Sequence, residues 1–213
     1  MVRRTKAEAL ATREQILDAA EMVFHRQGVS RSTLSDIASE AGVTRGAIYW
    51  HFKNKQDVLN AMIERITLPL ETLAEASTDT NEPDPLGRHR DVLISLLTNL
   101  AHDERQRRAF EIMFQKCELT EENQDILNRH RDAVHRASER TRRTFDNAVR
   151  KGQLPASLDT QVAATLLHCQ IHGLIDSWLL TPERINLEEY ASTFVDFFLS
   201  GITSCQHPFM HQS

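Results

Sequence analysis

The sequence predicts an all-α protein, and three observations carry that prediction. Apolar residues recur at helical spacing almost throughout the 213-residue chain, and no strand-like alternation persists beyond four residues. Seven glycines and six prolines are few for the many tight turns of a β-rich chain. At 40% hydrophobic and 26% charged residues, the composition is that of a folded globular protein, too apolar for disorder.

Each helix has its own signature. Ile16, Leu17, Ala20, Val23 and Phe24 form one amphipathic stripe, and Gly28 stands where a left-handed residue ends that helix. Thr33-Leu34-Ser35-Asp36 starts a second helix with an acid three residues after the cap, and Gly42 stops it. Thr44 caps a third helix. Asn54-Lys55-Gln56-Asp57 opens a fourth, running to about Leu68, with Val58, Leu59, Met62, Ile63 and Ile66 on its inner face. Ser77 to Pro85 is the clearest loop. Helices then follow over Leu86–Ala101, Glu104–Cys117, a long segment capped by Thr120 and ended by Gly152, Asp159–Leu180 and Leu187–Ile202. The mixed charges of the long segment predict a solvated face with i, i+4 pairs such as Asp132–Arg136 and Glu139–Arg143.

Charge is unevenly placed. The net is −5, yet residues 1–57 carry nine Lys/Arg against seven Asp/Glu (net +2), whereas residues 58–213 carry sixteen against twenty-three (net −7). A positive head on an acidic body suggests that only the head meets a polyanion. The longest apolar runs are a few residues, far short of the about 20 that a bilayer span needs, and the basic N-terminus lacks a following apolar stretch, so neither a membrane helix nor a secretion signal is expected. Cys117, Cys169 and Cys205, odd in number and far apart, fit reduced thiols in a cytoplasmic protein.

The functional signal lies in TLSDIASEAGVTRGAIYWHF, residues 33–52. Two short helices meeting at a glycine-bearing turn make a helix-turn-helix unit. Its small core is expected from Leu34, Ile37, Ala38, Val43, Ala47, Ile48 and Phe52. With Ile48 and Phe52 inward, Arg45 and Tyr49 point outward. Thr44 and Arg45 then sit at the helix start that enters a major groove, where Arg can donate two bonds to guanine. Thr33 and Thr44 stand where helix N-termini favour phosphate, and His51 and Lys55 suit phosphate contact. Trp50 reads either as an exposed stacking residue or as the rim of the small core. The competing interpretation of the whole motif is a plain αα-hairpin in a bundle.

Thr33 to Lys55, ending VTRGAIYWHFKNK, resembles the signature of TetR-type transcriptional repressors. The opening RRTKAEALATREQILDAA, Asp84-Pro85-Leu86, Lys116-Cys117-Glu118, Gly152-Gln153-Leu154-Pro155 and Gly173-Leu174-Ile175 with Trp178 are similar to the AcrR-like branch that represses multidrug efflux pump operons. The resemblance implies a homodimer of all-helical subunits with about nine helices each. Residues 10–70 become the DNA-binding domain, and residues 71–213 the ligand-binding and dimerisation domain. The implied partners are double-stranded operator DNA and a small hydrophobic inducer, cationic compounds included, with no cofactor and no membrane. The DNA-binding positions are Thr33, Thr44, Arg45, Gly46, Tyr49, Trp50, His51 and Lys55.

The candidate ligand positions are Ile66, Leu93, Leu97, Phe110, Phe114, Leu167, His168, Ile171, His172, Ile175 and Asp176. The apolar members also fit ordinary core. His168, His172 and Asp176 stand at i, i+4, i+8 on one helix face. Burying three polar groups in a row costs about 1–3 kcal/mol apiece unless each is paired, so the face belongs to a wet ligand cavity or to a satisfied network at a dimer interface. Chelation by His168, Cys169 and His172, or by His207 and His211, lacks an obvious complete ligand set, so no metal is expected. Without GxSxG, a glycine-rich phosphate loop or a recognisable nucleophilic cysteine, no catalytic residue stands out. An operator gel shift separates the repressor reading from a non-DNA-binding helical interaction protein or an enzyme. A TetR-type regulator of an unrelated metabolic operon is a further alternative.

Overall fold

The computed structural model describes residues 6–117 and 124–204. Among them, nine α-helices occur and no strand: α1 (Lys6–Gln27), α2 (Leu34–Glu40), α3 (Arg45–His51), α4 (Lys55–Ala76), α5 (Pro85–His102), α6 (Glu104–Glu111), α7 (Gln124–Arg150), α8 (Thr160–Leu180) and α9 (Leu187–Ser204). The expected Thr120 cap, Cys205, His207 and His211 lie outside the described residues. No helix among the described residues is long and apolar enough to cross a membrane.

Local chemistry explains most boundaries. Gly28, Gly42 and Gly152 take positive φ (80°, 63° and 73°), the backbone region that a side chain resists, and end α1, α2 and α7. The Thr33 hydroxyl accepts from the Asp36 N–H at 3.1 Å while the Asp36 carboxylate accepts from the Thr33 N–H at 2.9 Å, a reciprocal capping box. Those Thr33 bonds hold the Asp36 carboxyl below the usual carboxylate range. Asn54 caps α4 by accepting from the Asp57 N–H at 2.8 Å, and Asp84 caps α5 through Gly87 at 2.9 Å.

Two elements depart from expectation. α4 passes through Pro69 and ends at Ala76, two turns beyond the expected Leu68. A proline inside a helix forfeits a backbone bond and crowds the carbonyl four residues back, but it need not stop a helix that packing holds. The expected helix over Glu104–Cys117 is α6 followed by a π-helical turn, Ile112–Lys116.

The chain forms two compact units. The first holds α1–α3, α4 up to Thr67, and the described residues between Arg105 and Asn128. Its core gathers Ile16, Leu17, Val23 and Phe24 of α1, Ile37 of α2, Ile48 of α3, Leu59 and Met62 of α4, and Ile112. Beside that core, the α1 carboxylate Glu21 is only 2% exposed. It is met by Arg108 at 2.7 Å and by Arg105 and Arg65 at 3.4 Å. Arg65 also reaches Asp18 at 2.8 Å and Glu14 at 3.1 Å, and Arg105 pairs with Asp18. One face of α1 is thereby tied to both α4 and α6 by charge.

The second unit holds α4 from Leu68, α5, α7 from Arg129, α8 and α9. Arg90 of α5 grips Asp196 of α9 with two bonds, 2.5 and 2.8 Å. Ser77 and Thr144 share a buried hydrogen bond, and the Asn147 amide donates to the carbonyls of Thr78 and Asp79, fastening the turn after α4 onto α7. The expected Glu139–Arg143 pair is not formed. Glu139 takes Arg142 at 2.5 Å, and Arg143 reaches Glu75 on α4 at 2.8 Å, because Arg143 faces the neighbouring helix rather than its own surface.

His89 of α5 is buried at 4% exposure, edge-on to Phe145 with ring centroids 6.0 Å apart, and among the described residues neither ring nitrogen has a hydrogen-bond partner. Burial, with the Arg140 charge adding to it, pushes its pKa down to about 4.

Candidate nucleic-acid interface and ligand residues

The helix-turn-helix is assembled in the first unit by short-range rules. Ala41 N–H returns to the Ile37 carbonyl, Val43 N–H to the Ala38 carbonyl, and Gln15 of α1 donates to the Ala41 carbonyl at 2.7 Å. Leu34, Ile37, Ala38, Ile48 and Phe52 are buried as expected, and Val43 packs against them from a half-buried position. The Arg13 guanidinium lies over the Phe52 ring, 5.4 Å from its centroid, closing the core against α1.

With that side of α3 inward, the other side is presented to solvent. Thr44 accepts from the Ala47 N–H at 3.2 Å and caps the helix, so its hydroxyl stands at the helix start. Thr44, Arg45, Gly46, Tyr49 and Trp50 are all exposed. The Arg45 guanidinium lies over the Tyr49 ring at 5.8 Å, which places a cation and an aromatic on one ridge. Trp50 is 72% exposed, so of its two readings the rim of the core is the one that fails. Its ring stands edge-on to half-buried His51, with centroids 4.6 Å apart. Thr33 is exposed at the start of α2, its hydroxyl occupied in the capping box.

Lys55 departs from the expected phosphate contact. Its ammonium donates to the carbonyls of Val29, Ser30 and Ser32, at 2.6, 3.1 and 2.8 Å, which uses all three of its N–H groups. Burial lowers its pKa, and the charge of Cys117 opposes that shift. The residue is a clamp on the loop between α1 and α2. A lysine at a helix start reads as a surface cation until one knows that this loop, some 25 residues earlier in the chain, brings its carbonyls to the same place.

The candidate ligand residues divide between the units. Ile66, Phe110 and Phe114 belong to the first. Phe110 is buried and Phe114 half-buried, and their rings stack with centroids 6.0 Å apart. Leu93, Leu97, Leu167, Ile171 and Ile175 are buried in the second. His168 and Asp176 are half-buried on α8, but His172 is exposed, so the expected row of three buried polar groups is not present within one chain. The His168 and His172 rings are 5.9 Å apart, and His130 of α7 joins them. Burial, and then the neighbouring histidines, lowers the pKa of His168 and of His130. Cys117 and Cys169 are thiols outside any disulfide, and no cluster able to hold a metal is found among the described residues.

Sequence reasoning missed Glu21 and His89, although both leave a trace. Glu21 lies on the inner stripe one turn from Leu17 and Phe24, and His89 lies one turn before Leu93 and two before Leu97.

Comparison with known proteins agrees with this arrangement. Residues 16–62 match the family described as "Bacterial regulatory proteins, tetR family", and residues 84–203 match "MAATS-type transcriptional repressor, C-terminal region". The chain is 44% identical to the HTH-type transcriptional regulator TtgR of Pseudomonas putida, over 92% of this chain and 93% of that protein. It is 37% identical to the HTH-type transcriptional regulator AcrR of Shigella flexneri, over 96% and 95%. Among solved structures, the SmeT–triclosan complex superposes with a TM-score of 0.86 at 34% identity, covering 95% of this chain and 96% of that one. SmeT is described as the repressor of the Stenotrophomonas maltophilia multidrug efflux pump SmeDEF.

Proposed function

Because the chain belongs to the TetR family of bacterial transcriptional regulators, we propose that it represses a multidrug efflux pump operon by binding its operator as a dimer. Drug-like hydrophobic molecules release it. The observation that carries the DNA-binding half is the α3 ridge: a capped helix start with Thr44, Arg45, Tyr49 and Trp50 exposed together, backed by a buried apolar core. Arg45 is the base reader, and Thr33, Thr44 and His51 meet phosphate and sugar. The efflux reading draws on the described role of SmeT and on the AcrR-like motifs in the sequence.

The dimer reading draws on two apolar stripes left open on one chain. On α8, Val162, Leu166 and Leu180 are exposed, and on α9, Tyr190 and Phe197. Phe197 is 78% exposed, unusual for a phenylalanine unless a second copy covers it. Two helices from each subunit form a four-helix interface about a two-fold axis. The inducer positions remain those argued from sequence: the stacked Phe110–Phe114 pair in the first unit, and the α8 face with His168 and Asp176 in the second.

The test is selection of bound duplexes from a random pool, then a gel shift on the recovered operator with and without a panel of apolar drugs. Arg45→Ala should weaken the operator complex by about 1–3 kcal/mol and relax preference at one base position. An unchanged preference in that variant removes Arg45 as the reader, and a wild type that enriches no sequence removes the repressor reading.

A further inference from the structure

We propose that a basic pocket in the first unit, away from the α3 ridge, binds a phosphate group. The pocket is a cavity of about 280 Å³ lined by Arg26, Arg31 and Lys116, by Gln27 and Gln115, and by the loop that follows α1. Three cations and two carboxamides line it, and among the described residues no carboxylate does. Arg26 is partly neutralised by Glu40 at 2.8 Å. Arg31 and Lys116 have no ion pair among the described residues, so the described lining is positively charged.

The loop is built to keep that wall electropositive. The carbonyls of Val29, Ser30 and Ser32 turn onto the Lys55 ammonium, and the Gly28 carbonyl accepts from the Ser32 hydroxyl at 2.5 Å. Four carbonyl oxygens that could repel an anion are therefore engaged elsewhere. The Val29 N–H donates to the Lys116 carbonyl at 3.0 Å, which joins the loop to the end of the π-helical turn and holds Arg31 and Lys116 on one cavity. Such a preorganised set of donors and cations suits a tetrahedral dianion or diester rather than a neutral drug, and guanidinium forks match phosphate oxygens in pairs. The phosphate comes either from the DNA backbone, in which case the site extends the operator interface and rests on the repressor reading, or from a free phosphorylated metabolite, in which case it does not.

The test uses the full chain. Backbone amide NMR is recorded during titration with sodium pyrophosphate, with sodium chloride at matched ionic strength as the control, for wild type and for the Arg31→Gln/Lys116→Gln variant. The same two proteins, with Lys151→Gln as a control outside the pocket, are titrated with selected operator at several salt concentrations. Saturable shifts at Gly28, Ser30 and Gln115 that vanish in the double variant establish a site for free phosphate. Absence of those shifts, together with an operator affinity about tenfold lower and a salt slope shallower by about one unit in the double variant alone, assigns the phosphate to the DNA backbone. No saturable shifts and unaltered operator binding overturn the proposal while leaving the repressor reading intact. If wild type selects no operator, that reading fails, and the pyrophosphate titration alone decides the pocket.

Discussion

His89 makes the fold's stability depend on pH between the ordinary histidine value and the value that burial gives it. The ring is buried without a hydrogen-bond partner among the described residues, and its pKa falls from 6.5 to about 4. The neutral ring is therefore the native form, while the unfolded chain takes up a proton near pH 6.5. Between those two values the unfolded state binds more protons, so the contribution of His89 is full above pH 6.5 and is lost as pH falls towards 4. Worked from the two pKa values, the loss is about 2 kcal/mol by pH 5 and about 3 kcal/mol by pH 4. Asp36, Glu75, Glu139 and Asp196 also have lowered pKa values, and their contributions are common to wild type and to a His89 variant. His130 and His168, lowered as well, contribute equally to wild type and to a His89 variant, so the difference isolates His89. His89→Leu removes the titrating group and two unpaired polar atoms. It should raise stability at about pH 7.5 by about 1–3 kcal/mol and flatten the decline between about pH 6.5 and 5. Urea unfolding at fixed protein concentration, at about pH 7.5, 6.0 and 5.0, measures both. Parallel curves for wild type and variant across that range would show that His89 stays charged or solvated, and the reasoning from burial fails.

Other outcomes follow from the same geometry. Lys55→Met strands three carbonyls and should cost about 2–3 kcal/mol in a thermal melt while leaving the salt slope of operator binding unchanged; a shallower slope would return Lys55 to the DNA interface. Phe197→Asp should convert a micromolar dimer into a monomer by sedimentation, and a wild type already monomeric there ends the α8–α9 interface. Phe114→Ala should blunt release of the operator by apolar drugs with drug-free binding intact. Loss of about 3–5 kcal/mol of stability with an unchanged drug response would make Phe114 ordinary core.

What was legible in the sequence was mostly local. The Thr33 capping box, the Thr44 cap and the glycine stops at 28, 42 and 152 depend on residues within a few positions of one another, and all stand as the spacing implied. Ile48 inward and Arg45 outward followed from helical periodicity alone. What escaped depends on neighbours distant in sequence. The direction of Lys55 is set by a loop about 25 residues away, and the partner of Arg143 by a helix 68 residues earlier. The passage of α4 through Pro69 is of the same kind, since propensity marks a stop there. The candidate ligand set shows the limit most clearly: Leu93, Leu97 and Ile175 are buried as core residues are, and no pattern in one chain separates a packed leucine from one that lines a cavity.

The Glu21 cluster bears on how the protein can be cut and recombined. The matched DNA-binding segment, residues 16–62, contains Glu21 but ends before Arg65 and lacks Arg105 and Arg108. A chimera that joins this head to another regulator's body at residue 62 keeps a nearly inaccessible carboxylate and discards the three guanidinium groups that compensate it. Such a graft strands a buried charge, a loss of about 3–5 kcal/mol for one unpaired member of an ion pair. Heads are therefore exchangeable only together with the arginines at 65, 105 and 108, or with Glu21 replaced by an apolar residue. The transferable module is larger and less contiguous than the segment that recognises DNA.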